Sequence, residues 1–189
     1  MKLLACPKCH QQLHLENKTL KCENNHCYDI SKRGYINLLL NPDKATNNPG
    51  DSKESLVARK AYLNKGYYDP ILNQVITCID EFKHQDDLSI LDLGCGEGYY
   101  TQGLKKHFEN SDIYGLDISK IAIDMATRYR KDVTWLVGNS KNIPILDHSL
   151  DFICALFTVV NQDELKRALK EDGYIVHVTA TVSYTHLRA

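Results

Sequence analysis

Nowhere in the chain is there a run approaching the roughly 18 consecutive apolar residues that a membrane helix needs. The first residues, Met1-Lys2-Leu3-Leu4-Ala5, run straight into Cys6 without the apolar stretch and cleavage site of a secretory signal. No internal repeat and no low-complexity segment interrupts the sequence. These absences argue against membrane-spanning, exported and repeat architectures, and the cytoplasm is the expected compartment. There, seven cysteines point to metal or core roles and not to a disulfide framework. What is present, 43% hydrophobic and 25% charged residues over 189 positions, suffices for one ordinary domain with a small appendage.

An excess of charge of one sign is missing too, since the net charge is −1. Split at residue 68, however, the chain has a front with 11 Lys/Arg against 6 Asp/Glu and a rear with 12 against 18. A basic front on an acidic rear suggests that the front meets a polyanion.

Four of the seven cysteines fall in the first 27 residues. Cys6 and Cys9 flank the Pro7-Lys8 turn, and Cys22 with His26 follows 12 residues later. This is the spacing of a structural Zn²⁺ site, in which soft thiolates and one imidazole close a tetrahedral shell. Cys27, next to His26, is a rival fourth ligand. His10 and His14 are off the spacing and read as surface residues. So few apolar residues surround the site that residues 1–30 need something besides their own core to hold together.

Residues 31–50 read as a connector with turns at Asn41-Pro42 and Asn47–Gly50. Asp51 with Glu54 marks a helix start, and a second helix follows Asp69-Pro70. From residue 88 onward strands and helices alternate. Strands are expected at 88–93, 112–116, 133–137, 152–157 and 174–178, with helices at 99–109, 119–129 and 162–170. Ser119 and Asn161 sit at N-cap positions, Asn161 pairing with Glu164 as a capping box. The pattern predicts an α/β fold, a doubly wound, mainly parallel sheet with helices on both faces.

The segment Leu91-Asp92-Leu93-Gly94-Cys95-Gly96-Glu97-Gly98 feeds an apolar strand into a glycine turn and then a helix. Glycines there admit positive φ and let a ligand approach the main chain. The spacing is G-x-G-x-G, not the G-x-G-x-x-G of dinucleotide dehydrogenases, which disfavours an NAD-dependent oxidoreductase. Asp117 ends the next strand, where an acid meets ribose hydroxyls. Glu97 and Cys95 read as local turn and packing residues.

Together these residues resemble the first two motifs of class I Rossmann-like methyltransferases. The resemblance implies S-adenosyl-L-methionine as cofactor. It implies Gly94, Gly96 and Gly98 along the methionine and ribose portion with Tyr99 beside them, Asp92 at the amino group and Asp117 at the ribose. Asn139-Ser140, with Ile143-Pro144, lies where the family has its third motif, near the adenine.

More narrowly, CPKCHQQL at 6–13, CENNHCYDISKRGYINLLL at 22–40, NPGDSKESLVARKAYLNKGYYDP at 48–70 and LDLGCGEGYYTQGL at 91–104 resemble the bacterial 23S ribosomal RNA guanine-N1 methyltransferases of the RlmA type. The implied organisation is a zinc-binding RNA-recognition module at 1–40, a helical linker at 41–86 and the S-adenosylmethionine domain at 87–181. The implied partner is a 23S rRNA hairpin, with no membrane; a homodimer is left open. Lys21, Lys32, Arg33, Lys53, Arg59 and Lys60 are candidate phosphate contacts. Tyr28, Tyr35, Tyr67 and Tyr68 either stack on bases or pack in the core.

The implied reaction moves a sulfonium methyl to guanine N1. The sequence names no catalytic base, and the loop Phe157–Asn161 is its expected place. Thr158-Val159 stands where relatives carry Ser-Pro or Ala-Pro. Two other readings are a small-molecule methyltransferase and an RNA-binding module on an inactive methyltransferase fold. The resemblance stops near residue 180, and the string from Val182 to Ala189 resembles a translated sequencing adapter. The expectation is that residues 182–189 are a non-native tail on a shortened gene. A sheet stopped at its fifth such strand exposes an edge, and a chain shortened in this way is expected to bind cofactor weakly and not to methylate.

Overall fold

Residues 89–178 alternate apolar, β-branched runs with short capped helices, and in the computed structural model these runs form one parallel sheet. The structure describes residues 1–40 and 52–180. The turns at 41–42 and 47–50, the helix start at Asp51 and the string from Val182 lie outside the described residues.

Three short strands, β1 (His14–Glu16), β2 (Thr19–Lys21) and β3 (Cys27–Asp29), make a small antiparallel sheet. β4 (Ile36–Asn37), α1 (Lys53–Leu63) and α2 (Asp69–Phe82) follow. Then come β5 (Ser89–Leu93), α3 (Tyr99–His107), β6 (Asp112–Asp117), α4 (Lys120–Ala126), β7 (Thr134–Val137), β8 (Leu150–Leu156), α5 (Gln162–Ala168) and β9 (Leu169–Val178). The large sheet has the order β4-β7-β6-β5-β8-β9, with every neighbouring pair parallel. The order reverses between β5 and β8, and a ligand crevice forms at the carboxyl ends of strands at such a switch point.

The caps explain where the helices begin. Ser52 caps α1, its hydroxyl accepting from the Ser55 N–H at 3.2 Å. Ser119 does the same for Ala122 at the head of α4. Asn161 accepts from the Asp163 and Glu164 N–H groups at the head of α5. The reciprocal half of the expected capping box is replaced. Glu164 turns to the Ile143 N–H at 2.7 Å and to Arg167, because the segment it faces has backbone donors to satisfy.

Strand periodicity sends alternate residues to two cores. On one face Ile90, Ile113, Trp135, Val137, Phe152 and Cys154 pack against Val75, Ile79, Leu104 and Ile123 of α2, α3 and α4. On the other face Leu91, Leu93, Tyr114, Leu116, Leu136 and Ile153 meet Leu165 and Ala168 of α5. They also meet Leu4, Cys6, Leu13, Leu20 and Cys22 of the cysteine-rich front. The β7–β8 connection, residues 138–149, contains no helix, and the front covers the sheet on that face. The expectation of helices on both faces holds, with α5 sharing the second face with the small cysteine-rich module.

This docking is specific. Leu4 bridges Ile145, the Ala5 N–H donates to the Pro144 carbonyl at 3.0 Å, and the Leu146 N–H donates to that of Leu3 at 2.9 Å. The connector continues it, Ile36 pairing with Leu136 and the Leu38 N–H donating to Val137 O at 2.8 Å. A segment too short to bury its own apolar groups thus joins a core some hundred residues away in sequence. No helix among the described residues is long and apolar enough to cross a membrane.

Candidate functional site

The metal-ligating cluster is built by two tight turns. In the first, the Cys9 and His10 N–H groups both donate to the Cys6 carbonyl, and His10 takes φ 59°. In the second, the Asn25 N–H donates to the Cys22 carbonyl and Asn25 takes φ 59°. These turns converge the Sγ atoms of Cys6, Cys9 and Cys22 with Nδ1 of His26, all within 4.8 Å of one another. His26 Nδ1 lies 3.4 Å from Cys6 Sγ, 3.5 Å from Cys9 Sγ and 3.4 Å from Cys22 Sγ, and Cys9 lies 3.7 Å from Cys22. With Zn–S bonds of about 2.3 Å, tetrahedral ligands sit about 3.7 Å apart, so the donor set fits one Zn²⁺. Cys27, the rival ligand, is exposed and turns its Sγ to the Asn25 carbonyl at 3.4 Å. Tyr28 places its hydroxyl 3.2 Å from Cys6 Sγ, where it supports the cluster from behind.

At the switch point of the sheet, Leu93 and Gly94 at the end of β5, Leu116, Asp117 and Ile118 at the end of β6, Gly138, Asn139 and Ser140 after β7, and Thr158 after β8 line a crevice of about 120 Å³. Gly94 and Cys95 both donate their N–H to the Leu116 carbonyl, which wraps the glycine turn against β6. Gly94 has φ 74°, and a Cβ there would lie 2.5 Å from Thr158 Oγ1. Gly96, at φ 56°, has open space where a Cβ would be. Asp117 accepts from the Gly96 N–H at 2.9 Å and the Ser119 N–H at 2.8 Å. A carboxylate held at the crevice floor in this way can take further donors, such as ribose hydroxyls. The glycine cradle, the fixed acid and the polar Asn139-Ser140 wall fit S-adenosylmethionine.

Of the residues expected here, the crevice collects Gly94, Asp117, Asn139 and Ser140, with Gly96 hydrogen-bonded to Asp117. The others stand behind it or elsewhere. Asp92 is buried beneath the turn and accepts from the Thr101 hydroxyl at 2.5 Å. Burial, together with the charges of Asp117 and Glu97, raises its pKa to about 7 against the pull of the Thr101 bond. Gly98 backs onto Trp135 and Ala126. Tyr99 faces away, donating to Asp69 and lining a separate cavity with Lys60 and Glu97.

The basic and aromatic candidates also divide. Arg33 pairs with Asp124 at 2.7 Å, and Lys60 lies over the Tyr129 ring at 3.3 Å from its centroid. Lys21 faces Glu16 at 3.9 Å. Tyr28 and Tyr35 pack, whereas Tyr67 is 61% exposed. Glu97, read from the sequence as a local turn residue, has its carboxylate buried 3.9 Å from Arg59, a partner that the sequence does not indicate.

Comparison with known proteins agrees with this geometry. Residues 90–173 match the family described as "Methyltransferase domain", and residues 4–45 match the N-terminal zinc ribbon described as "RlmA, N-terminal". A 23S rRNA (guanine(748)-N(1))-methyltransferase of Streptomyces fradiae is 29% identical over 181 residues, 95% of this chain and 64% of that protein. A protein of Bacillus subtilis (strain 168) with a provisional 23S rRNA (guanine-N(1)-)-methyltransferase name is 30% identical over 189 residues, 96% of this chain and 66% of its own length. The chain thus spans just under two thirds of the length of these relatives. Among solved structures, an S-adenosyl-L-methionine-dependent methyltransferase of Methanococcus maripaludis shares the fold with a TM-score of 0.55 at 23% identity, over 68% of this chain and 67% of that one.

Fold and site together define a class I methyltransferase domain with an N-terminal zinc ribbon. Along nearly its whole length the chain is similar to 23S rRNA guanine-N1 methyltransferases, and its front matches the zinc ribbon of the RlmA type.

Proposed function

We propose that the gene product transfers a methyl group from S-adenosylmethionine to N1 of a guanine in a 23S ribosomal RNA hairpin, in the cytoplasm. The observation that carries this reading is the shared core. The zinc ribbon packs on the same sheet whose carboxyl ends make the cofactor crevice, so an RNA held by the ribbon is held in fixed relation to that crevice. The names and lengths of the relatives support the acceptor.

Cys6, Cys9, Cys22 and His26 hold structural zinc in this reading. A closed shell of four protein ligands leaves no position for catalytic water, so the metal shapes the ribbon and takes no part in transfer. Gly94 and Gly96 bring the main chain against the cofactor, Asp117 takes the ribose hydroxyls, and Asn139 and Ser140 flank the adenine. Asp92 and Gly98 shape the turn from behind, and Tyr99 has no contact in the crevice. Asp92 reaches the cofactor's ammonium group only if the turn opens toward it.

Bound S-adenosylmethionine supplies a methyl group already activated by its sulfonium. What the chain must add is position and the loss of one proton. As the bond from N1 to the methyl carbon forms, the carbon–sulfur electron pair returns to sulfur and the N1 proton leaves to water. Proximity is the main contribution, because a well-placed acceptor turns a bimolecular step into a unimolecular one.

The test is incubation of the complete gene product with labelled cofactor and undermethylated 23S rRNA, followed by nucleoside analysis. Label in 1-methylguanosine is expected. Label on small metabolites alone, or RNA binding without label, would overturn the reading in favour of the two alternatives.

A further inference from the structure

Beside the cofactor crevice lies a second and larger cavity of about 280 Å³, lined by Arg59, Tyr62, Leu63, Tyr68, Tyr100 and Phe157. Its residues come from α1, the turn before α2, the head of α3 and the loop after β8. The two cavities share a wall of two consecutive residues. Thr158 faces the cofactor side, and Phe157 faces the aromatic side.

Three features mark this cavity as built for a ligand. First, Phe157 holds φ 57°, a left-handed conformation rare for a bulky residue, and its ring is 41% exposed. The ring stands edge-on to Tyr68 with centroids 6.1 Å apart, and Tyr68 stands edge-on to Tyr62 at 6.0 Å. Second, the Tyr100 side chain is 95% buried by residue exposure of 5%, yet its hydroxyl has no hydrogen-bond partner. Burial raises its pKa to about 12, so the group stays a donor. Third, a cation enters the aromatic wall: Arg59 lies 3.9 Å from the buried Glu97 carboxylate, whose Oε2 has no hydrogen bond. The buried acid draws the guanidinium toward it by charge, which makes Glu97 a positioning residue.

Flat aromatic walls, a fixed guanidinium and a waiting hydroxyl suit a planar base rich in acceptors. Arginine pairs with the O6 and N7 edge of guanine in two parallel hydrogen bonds, and adenine presents a donor where O6 would be. That pairing leaves N1 uncovered. It also puts a positive charge beside O6, onto which negative charge spreads as N1 loses its proton.

We infer that this cavity is the slot for the acceptor base, a guanine turned out of its stack, lying against Tyr68 and Phe157 and read at O6 and N7 by Arg59. The slot deepens the reading proposed above and rests on it. Unstacked bases held on aromatic faces are the ordinary way single-stranded RNA is recognised. Tyr100 donates to an acceptor of the same nucleotide. Phe157 and Thr158 then set the distance between base and cofactor, each touching one of them.

The test compares the complete gene product with Arg59→Ala, Arg59→Lys, Tyr68→Ala and Tyr100→Phe. Each is measured for methyl transfer to undermethylated 23S rRNA, for S-adenosylhomocysteine affinity by calorimetry, and for thermal melting. Tyr68→Ala is expected to lower kcat/KM by roughly 10- to 100-fold, the worth of one stacked base. Arg59→Ala is expected to lower kcat by roughly 100-fold near neutral pH, as does removal of a donor to a developing anion. Its deficit should shrink as pH rises, because hydroxide then removes the N1 proton unaided. Arg59→Lys should fall between, since it keeps charge and loses the paired geometry. Affinity for S-adenosylhomocysteine should stay near wild type throughout, and so should melting except in Arg59→Ala, which leaves the buried Glu97 without its cation and melts earlier. If the wild type methylates guanine while all four variants match its rate and pH profile, the slot is overturned and the reaction stands. If the wild type labels no guanine, the reaction itself is overturned. A parallel loss of rate, cofactor affinity and melting temperature in every variant would mark a structural role and overturn the slot as well.

Discussion

Thr158 closes on Gly94: a Cβ built on that glycine would lie 2.5 Å from the threonine Oγ1 and 2.7 Å from its Cβ. The contact ties the loop after β8 to the cofactor turn after β5, the two strands between which the sheet reverses. Gly94→Ala combines this collision with a positive φ and is expected to destabilise the fold by about 1–3 kcal/mol. Cofactor affinity should drop at least about tenfold, the equivalent of about 1.4 kcal/mol. Denaturant melts and calorimetric titration check both. A Thr158→Gly second change, which removes the facing Cβ as well as Oγ1, should recover part of the stability, leaving the backbone strain.

Zinc removal should unfold more than the ribbon. Leu4, Cys6, Leu13, Leu20 and Cys22 share one core with Leu91, Leu116 and Leu136 of the main sheet. Trp135, the single tryptophan, is buried in the opposite core and reports on the sheet. Chelation, or Cys9→Ser, is expected to lower the melting temperature seen by Trp135 fluorescence by roughly 10 °C or more, since metal binding is coupled to folding. A ribbon that melts alone, leaving the Trp135 transition in place, would contradict the shared core.

Asp92 gives a pH signature. Its folded pKa of about 7 lies above that of an unfolded Asp near 3.8, chiefly through burial, so the folded state holds the proton longer. Its contribution is therefore fully present at acid pH and is lost as pH rises from about 4 through about 7. Asp92→Asn should stabilise the chain above pH 7, and the gain should fade toward pH 4. Melting temperatures measured across that range check the sign. An unchanged affinity for S-adenosylhomocysteine in Asp92→Asn would assign the residue to the turn alone, and a loss would place it at the ammonium group.

Arg167 anchors α5 to the segment on which the ribbon docks. It donates to Glu164, to Asp147 at 2.6 Å, and to the carbonyls of Ile143 at 2.7 Å and Ile145 at 2.8 Å, with its side chain 19% exposed. Arg167→Ala leaves these acceptors without their cation and is expected to cost about 2–4 kcal/mol, read by urea denaturation. Loosening of the Leu4–Ile145 bridge should accompany it, visible as faster amide exchange at Ala5 and Leu146.

The alternation of strand and helix from residue 89 is legible in sequence because each element announces itself by period and cap. Ser119 and Asn161 cap the helices they precede. The metal ligands are legible because their spacing is local, although only the fold turns His26 inward and Cys27 outward. Long-range relations are not legible. The pairing of Ile36 with Leu136 spans a hundred residues, and β9 begins at Leu169, not 174, because Leu169 pairs with Leu150 ahead of an irregularity. The Arg59–Glu97 approach and the meeting of Tyr68 with Phe157 arise only when α1, α2 and the β8 loop converge.

The most direct measurement is mass spectrometry of nucleosides from undermethylated 23S rRNA after incubation of the complete gene product with isotopically labelled S-adenosylmethionine. The account predicts label in 1-methylguanosine, at one guanine within a hairpin, and its loss when Asp117 is replaced by Ala. Label in any other nucleoside, or none despite bound cofactor and intact zinc, would contradict it.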